Sequence, residues 1–174
     1  ARQAGFGLVC TGQHYLSAPY QMLQPLPFLA RIAPEAAPME VAVTVILLPL
    51  QNPVDMAEQV ATMDILCEGR FILGVGLGYR DEEYQAFGTS RKERAGRFEE
   101  CLEVMKHLWT EEEWSYHGRY FQVPKTRLTT RPVQRPYPPI WVAANNDAAI
   151  MRAARLGHPW LINPHATLKT LERQ

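Results

Sequence analysis

The side chains of this sequence that could do chemistry stand directly after short apolar runs. His14 follows the apolar run at 6–10, and a polar triplet follows the run at 140–144: Asn145, Asn146 and Asp147. A histidine titrates near neutral pH, so it can exchange a proton with a reacting group. Asn and Asp are good helix N-caps, and the free amides of a helix N-terminus can also bind a phosphate. These positions therefore fit either ordinary loop and capping roles or acid–base and phosphate-binding roles.

The run FILGVGLGYRDEEY at 71–84 raises a second possibility, a dinucleotide-binding turn. Gly74, Gly76 and Gly78 are spaced two apart. That fingerprint needs its third glycine three residues after the second, where this chain has Tyr79. The acidic residues at 81–83 would also compete with a phosphate for the amides of the following helix. The run is therefore weak evidence for dinucleotide binding, and the end of a barrel strand is the competing interpretation.

The other histidines, the cysteines and the serines suggest no further site. The histidines and cysteines show no metal-ligand spacing, and no serine stands in a nucleophile elbow. We therefore expect no metal centre. A proline-rich stretch at 124–139 contains three arginines that could hold an anionic cofactor tail or lie in solvent: Arg127, Arg131 and Arg135.

Composition narrows the class of protein. The 174 residues are 47% hydrophobic and 21% charged, which is ordinary for a globular core. Eighteen basic residues balance eighteen acidic ones, so no net charge draws the chain to nucleic acid or anionic membrane. The longest apolar run, 41–50, is too short to cross a bilayer. Three widely spaced cysteines fit a reduced compartment. We expect a cytoplasmic protein with neither nucleic-acid nor membrane partners.

Apolar runs alternate with amphipathic ones along the chain, which predicts an α/β fold with parallel strands. Predicted strands lie at 6–10, 41–48, 70–76, 140–144 and 160–163, and predicted helices at 25–32, 53–63, 82–87, 91–109 and 148–156. A hairpin is expected at 114–123, followed by a connector without regular structure at 124–139.

Five parallel strands could form a doubly wound sheet or part of a (β/α)8 TIM barrel. Polar or glycine-containing pairs follow nearly every predicted strand: Gln13 and His14, Gln51 and Asn52, Gly78 and Tyr79, Asn145 and Asn146, Asn163 and His165. In a barrel these strand ends converge on one mouth, where active sites lie. A whole barrel takes about 250 residues, so the sequence predicts one partial barrel domain over 1–174.

Four stretches resemble the bacterial luciferase-like flavin-dependent oxidoreductases, a barrel family that includes deazaflavin-dependent reductases. They are FGLVCTGQHY at 6–15, TVILLPLQNPVDMAEQVATMD at 44–64, GRFILGVGLGYRDEEYQAFG at 69–88 and PPIWVAANNDAAIMRAARLG at 138–157. By this resemblance the chain carries about strands two to six of the barrel, and the glycine run is the fourth barrel strand with its loop. The resemblance thus favours the barrel-strand interpretation over the dinucleotide-binding turn.

The resemblance implies FMN or the deazaflavin coenzyme F-420, bound at the strand C-termini. It places a cis peptide between Thr44 and Val45 under the cofactor ring, and the cofactor phosphate at the polar triplet 145–147. It also places the loop with Leu77 and Gly78 against the cofactor. Some relatives have an arginine where this chain has Leu77, so the phosphate's charge partner is not identified. His14 matches one member of a family histidine pair whose other position is Gln13 here, and it is the implied catalytic residue.

The function implied by the resemblance is a monooxygenase or a hydride-transfer reductase or dehydrogenase. It would act on a small organic substrate, with a separate flavin reductase as a possible partner and a homo-oligomer as a possible assembly. The alternative is a non-catalytic or degenerate flavin-binding relative of the same fold. A half barrel also leaves two sheet edges unpaired. We therefore expect these residues to belong to a longer polypeptide and to aggregate in isolation.

Overall fold

The computed structural model describes residues 2–162 and 166–173 and has an α/β fold. Its seven strands are β1 Leu8–Thr11, β2 Glu40–Leu47, β3 Phe71–Gly76, β4 Trp114–His117, β5 Gln122–Thr126, β6 Ile140–Ala144 and β7 Trp160–Ile162. Its six α-helices are α1 Pro25–Ala36, α2 Pro53–Leu66, α3 Asp81–Ala86, α4 Arg94–Thr110, α5 Asp147–Arg155 and α6 Leu168–Arg173. Short 3-10 turns lie at Arg2–Ala4, Leu48–Leu50 and Arg91–Glu93.

Five of these strands form one curled parallel sheet in the order β1-β2-β3-β6-β7. The remaining pair, β4 and β5, is a separate antiparallel hairpin. The sheet is a half barrel, as the sequence predicts, and helices cover its outer face. Within the described residues β1 and β7 are its two edges. Because every strand of the sheet runs in the same direction, the carboxyl ends of all five lie along one rim.

The core lies between the sheet and the helices. Residues of β2 and β3 such as Val41, Val43 and Leu73 are fully buried against α1, α2 and α4. On the edge strand Cys10 is exposed, whereas Ala42 and Ile72, in register with it on β2 and β3, are buried. Helix α2 begins where the sequence predicts because Asn52 accepts hydrogen bonds from the backbone N–H groups of Val54 and Asp55, at 2.9 and 3.3 Å.

Several predicted boundaries are wrong, and two of them involve proline. Helix α1 continues past the predicted end at residue 32 to Ala36, with Pro34 inside it. Strand β5 occupies residues 122–126 and includes Pro124. The connector therefore starts at residue 127, three residues after its predicted start at 124. A proline is tolerated in β5 because the hairpin has only two strands, and one side of β5 needs no ladder hydrogen bond. Asn163, predicted to end the last strand, lies outside the described residues.

The connector is held in place by buried or capping side chains. The carboxylate of Asp64, a fully buried residue of α2, accepts hydrogen bonds from the backbone N–H and the side-chain amide of Gln134, at 2.8 and 2.7 Å. Arg131 donates to the carbonyls of Trp109 and Glu111 at the end of α4. Arg135 donates to the carbonyl of Pro132. Arg131 and Arg135 therefore donate hydrogen bonds to backbone carbonyls of the connector and of the C-terminus of α4, where cations are favoured.

One carboxylate of α4, on the outside of the sheet, holds the turn of the hairpin. Glu100 of α4 accepts hydrogen bonds from the backbone N–H groups of Arg119, Tyr120 and Phe121, at 2.9, 2.9 and 3.2 Å. These three amides form the turn between β4 and β5. The hairpin therefore packs against α4, on the outer side of the sheet.

Candidate active site

A bulge interrupts β2 at the rim where the strand ends meet. The peptide bond between Thr44 and Val45 is cis, as the sequence resemblance predicts. Pairing of β2 with β3 stops at Val43 and resumes at Ile46, so Thr44 and Val45 lie outside the ladder. Glycines face the bulge: a Cβ added at Gly76 would lie 2.7 Å from Cγ2 of Val45, and one at Gly12 would lie 2.9 Å from the carbonyl oxygen of Thr44. The glycines of β3 thus leave room for the bulge.

A cavity of about 750 Å³ opens beside this bulge, at the carboxyl ends of the sheet strands. Its described walls come from five places in the fold: Gly12 to His14 after β1, Thr44, Val45 and Leu47 on β2, Gly76 to Tyr79 after β3, Ala143 to Asn146 after β6, and Leu161 with Ile162 on β7. Arg94 and Ala149, each near the start of a helix, complete the lining. Seven of the eight predicted site residues line this one cavity: His14, Thr44, Val45, Leu77, Gly78, Asn145 and Asn146.

His14 is oriented by a buried carboxylate. Its Nδ1 lies 3.0 Å from Oε1 of Glu83, a residue of α3 whose side chain is 0% exposed. The same Oε1 accepts the backbone N–H of Tyr15 at 2.9 Å. The ring of Tyr79 meets the imidazole edge-on, with centroids 5.7 Å apart. Because Nδ1 faces Glu83, Nε2 is the imidazole nitrogen left for a ligand in the cavity.

Gln13 stands where the family often has the second histidine of the pair, and here its side chain makes structural hydrogen bonds. Its side chain is nearly buried, and Oε1 accepts the backbone N–H of Leu47 at 2.9 Å. Nε2 donates to the hydroxyl of Tyr15 at 2.9 Å and to Oε1 of Gln24 at 3.1 Å. The backbone N–H of Gln13 donates to the carbonyl of Val45 at 3.2 Å. Gln13 therefore joins the loop after β1 to the bulge of β2.

Arg94 supplies a cation to the cavity. It begins α4, lines the cavity and donates from Nη1 to the carbonyl of Gly78 at 3.1 Å. Gly78 has a φ of +75°, a backbone conformation that glycine adopts easily. The neighbouring carbonyl of Leu77 accepts a hydrogen bond from the hydroxyl of Tyr84, and burial raises the pKa of Tyr84 to about 12. The loop over Leu77 and Gly78 is thus fixed by side chains of α3 and α4.

The start of α5 forms another wall of the cavity. Asn146 is the N-cap, and its Oδ1 accepts the backbone N–H of Ala149 at 3.0 Å. Its neighbour Asn145 lines the cavity, whereas Asp147, the first residue of the helix, is exposed and is not among the lining residues. The helix N-terminus brings positive backbone dipole character to this wall. The predicted phosphate site is therefore polar and lines the same cavity as Arg94, and a role for Asp147 in it stays a prediction.

Sequence reasoning missed Glu83 and Arg94. Glu83 stands in a run of three acidic residues that looks like ordinary charge at a helix start, and only the fold shows that it alone of the three is buried. Arg94 is one of four basic residues at 91–97, and nothing in their spacing distinguishes the one that faces the cavity. Among the residues the structure describes, no three His, Cys, Asp or Glu are grouped to hold a metal ion, and no helix could span a membrane.

Sequence comparisons place these features in a family context. The family model described as luciferase-like monooxygenase matches residues 1–174. The uncharacterized protein y4vJ of Sinorhizobium fredii is 31% identical over 172 residues, which is 98% of this chain and 49% of that protein. The oxygenase component of a flavin-dependent trigonelline monooxygenase of Acinetobacter baylyi is 30% identical over 150 residues, 84% of this chain and 41% of that protein. The chain thus spans about half the length of these relatives.

Solved structures agree with this result. Monooxygenase RslO1 of Streptomyces bottropensis superposes with a TM-score of 0.86 and 29% identity, covering 98% of this chain and 54% of its own. The oxygenating constituent of 3,6-diketocamphane monooxygenase of Pseudomonas putida, in complex with FMN, gives 0.82 and 21%, covering 92% and 48%. An F-420-dependent secondary alcohol dehydrogenase with an F-420–acetone adduct gives 0.82 and 20%, covering 99% and 56%. The last two show the shared fold.

Proposed function

Because the chain belongs to the luciferase-like monooxygenase family, we propose that it carries the cofactor and proton-transfer site of a flavin- or deazaflavin-dependent oxidoreductase acting on a small organic substrate. One observation carries the proposal. A single cavity contains a histidine backed by a buried carboxylate, and it also contains an arginine and the N-terminus of a helix. The first pair suits proton transfer, and the second suits an anionic cofactor tail.

The described residues fit such a cofactor at both ends. Arg94 and the first turn of α5 offer a guanidinium and backbone amides to a phosphate. Val45, Gly76 and Ala143 form an apolar wall against which a flat ring can lie, and Leu77 and Gly78 line the adjoining loop. When bound, a flavin or deazaflavin supplies hydride transfer, and a reduced flavin can also activate oxygen. The protein supplies position, partial exclusion of water and protonation.

His14 is the proposed catalytic residue. Its Nδ1–H donates to Glu83, which leaves Nε2 to take a proton from, or give one to, a substrate held in the cavity. The carboxylate of Glu83 stabilises the imidazolium that forms when Nε2 accepts a proton. Because Glu83 is fully buried and the His14 side chain is 29% exposed, water screens this interaction only in part. The pair therefore orients the ring and assists its change of charge.

Within this proposal, a flavin-dependent monooxygenase is the first candidate. The relative with a named activity at 30% identity is the oxygenase component of a flavin-dependent monooxygenase, and RslO1, at 29%, is also a monooxygenase. An oxygenase component receives reduced flavin from elsewhere, so a separate flavin reductase is the partner we propose. An F-420-dependent reductase or dehydrogenase is the second candidate, supported by the shared fold with the alcohol dehydrogenase.

The test is a titration of the purified protein with FMN, reduced FMN and F-420, followed by the absorption spectrum of the bound chromophore and by oxygen uptake. A flavin monooxygenase binds reduced FMN and consumes oxygen when an oxidisable substrate is present. A protein that binds F-420 in preference, without oxygen uptake, supports the second candidate. Binding of a chromophore without turnover supports a non-catalytic relative, and failure to bind any of the three contradicts the proposal.

A further inference from the structure

One arginine outside the cavity lining donates two hydrogen bonds to the backbone next to His14. Nη1 of Arg80 donates to the carbonyl of Tyr15 at 2.9 Å, and Nη2 donates to the carbonyl of Leu16 at 3.1 Å. Arg80 lies in the loop after β3, whereas Tyr15 and Leu16 belong to the loop after β1. A planar guanidinium can bind two neighbouring carbonyls at once, which a lysine cannot do with the same geometry.

Arg80 and Glu83 hold the same peptide segment from two sides. Glu83 accepts the backbone N–H of Tyr15 and faces Nδ1 of His14, while Arg80 binds the next two carbonyls. Nη1 of Arg80 lies 3.7 Å from Oε1 of Glu83, so the two side chains also attract each other. Residues 14–16, defined here as the His14 segment, are therefore fixed by contacts with the start of α3.

The backbone of the His14 segment needs such support. Leu16 has a φ of +51°, in the left-handed region that residues other than glycine rarely adopt. Its side chain is 65% exposed, so packing does not hold it in place. Backbone in this conformation persists where surrounding contacts enforce it. The described contacts on the carbonyl side of Tyr15 and Leu16 come from Arg80.

The side chain of Tyr15 is also held: Nε2 of Gln51 donates to its hydroxyl at 3.3 Å, and its ring lies 4.5 Å from that of Phe87. The remaining contact of the segment's backbone is local. Nε2 of Gln24 donates to the carbonyl of His14 at 3.3 Å, and Gln24 stands at the end of the same loop. That contact closes the loop on itself but does not fix it relative to β3 and α3. Arg80 and Glu83 do so, and Glu83 is also the partner of the imidazole.

We propose that Arg80 is a positioning residue for His14: it locks the His14 segment onto α3 so that the imidazole keeps its place in the cavity. This inference rests on the proposed function, in which His14 transfers a proton. Arg80 is not among the residues that line the cavity, and in this proposal it acts through His14 alone. Its loss should therefore reduce turnover only while His14 is present.

The first test is a double-mutant cycle with Arg80→Met and His14→Ala. Arg80→Met keeps an unbranched side chain without the guanidinium, and His14→Ala removes the imidazole. We expect Arg80→Met to lower turnover about tenfold or more, because small misplacements of a catalytic group are costly. It should leave the cofactor dissociation constant within about twofold of wild type. In the His14→Ala background the same change should have no further effect on turnover, since coupled residues are non-additive. Independent, multiplying effects would overturn the proposal.

Lys92→Met is the matched control. Lys92 is exposed and lies in the connection between α3 and α4, on the other side of α3 from Arg80. Its replacement removes the same charge, and the structure gives its side chain no partner among the described residues. This control should have wild-type turnover. If it lowers turnover as much as Arg80→Met does, a change in net charge explains the effect, and the positioning role is wrong.

The second test does not depend on activity. The loop after the His14 segment exposes Tyr20 and Leu23, which chymotrypsin can cleave. At a temperature well below the melting temperature of each variant, Arg80→Met should speed cleavage at these two positions several-fold, whereas Lys92→Met should not. If wild-type protein shows no turnover with any cofactor, the proposed function fails, but this cleavage test still decides whether Arg80 holds the segment.

Arg80→Lys covers the case in which Arg80→Met does not fold. A lysine keeps the charge near Glu83 but cannot donate to both carbonyls with a fixed fork. We expect Arg80→Lys to have turnover and cleavage rates between those of wild type and Arg80→Met. If Arg80→Met is insoluble, the expected result for Arg80→Lys is lower turnover and faster cleavage than in wild type. Wild-type values for both measurements in Arg80→Lys would overturn the proposal that the bidentate contact matters.

Discussion

At the scale of single residues, the pair His14 and Glu83 carries the proposed proton transfer. The two residues are 69 positions apart in sequence, yet their side chains lie 3.0 Å apart. If the imidazole carries the proton, His14→Ala lowers turnover by about 10²-fold or more while the cofactor still binds. Steady-state kinetics measure the fall in turnover, and cofactor titration of the same preparation checks that binding is retained. Wild-type turnover in a cofactor-loaded variant would reduce His14 to a loop residue.

Arg94 provides a second prediction at this scale. If its guanidinium binds the cofactor phosphate, Arg94→Met weakens FMN binding by about tenfold or more, because hydrogen bonds to charged groups contribute about 1.5–3 kcal/mol. Riboflavin has the same ring system without the phosphate, so its affinity should change little. Fluorescence titration with both ligands measures the difference. Equal loss of affinity for both would show that Arg94 acts by holding the Gly78 loop and does not contact the phosphate.

His158 gives the protein a pH dependence of stability. Burial lowers the pKa of His158, the cation of Lys106 adds to this effect, and Nε2 has no partner in the described part of the chain. In the unfolded chain the same group titrates near 6.5, so below that pH the unfolded state binds more protons. The free energy of unfolding should therefore fall as the pH drops from about 6.5 through the lower pKa of the folded protein.

Urea unfolding at several pH values between 7.5 and 5 tests this dependence. His158→Leu cannot take up the proton, so its stability should fall less steeply over the same range. His117→Gln is the control because His117 lies exposed on the hairpin, and its slope should match that of wild type. A wild-type slope in His158→Leu would assign the pH dependence to other groups.

The residues that sequence could identify are those whose role depends on chain neighbours. Asn146 caps a helix that begins at the next residue, and His14 follows a strand. Glu83 and Arg94 depend instead on which way a helix faces, and a run of like charges does not reveal that. The position of Gln13 was noted only as a missing histidine, because its hydrogen bonds to Leu47 and Gln24 join three separate segments.

At the scale of elements, the buried strands were predictable because each is an uninterrupted apolar run. β6 has the predicted bounds, β2 is displaced by one residue at both ends, and β3 starts one residue late. Proline was taken to stop an element at Pro124 of β5, and α1 runs four residues beyond its predicted end with Pro34 inside it. Proline removes one donor, and both positions tolerate that loss.

The attachment of the hairpin to α4 is a prediction about elements. Glu100→Ala removes the acceptor of three turn amides and should destabilise the protein by about 1–3 kcal/mol. Hydrogen exchange of the Tyr120 and Phe121 amides should speed up more than that of β3. Glu103→Ala, one turn along the same helix, loses a single 3.3 Å contact with the hydroxyl of Tyr116 and should have a smaller effect. Equal effects would mean that the turn is held by packing.

At the scale of the whole molecule, the described sheet has open edges. β1 and β7 each pair with one neighbour, and unpaired strand edges promote association between chains. We expect residues 1–174, when produced alone, to aggregate or to form large assemblies, which light scattering after gel filtration would detect. A monomer with one sharp, cooperative melt would show that this half barrel is self-sufficient.

The glycines around the bulge also decide how the cavity could be redesigned. A side chain at Gly12 or Gly76 would collide with the residues at the bulge, so a library at these positions would return mostly inactive or unfolded variants. Leu161 and Ile162, on β7, line the same cavity outside the apolar wall proposed for the cofactor ring. An engineer who wishes to admit larger or smaller molecules should therefore vary β7 and leave Ala143 and the residues of β1 to β3 as they are.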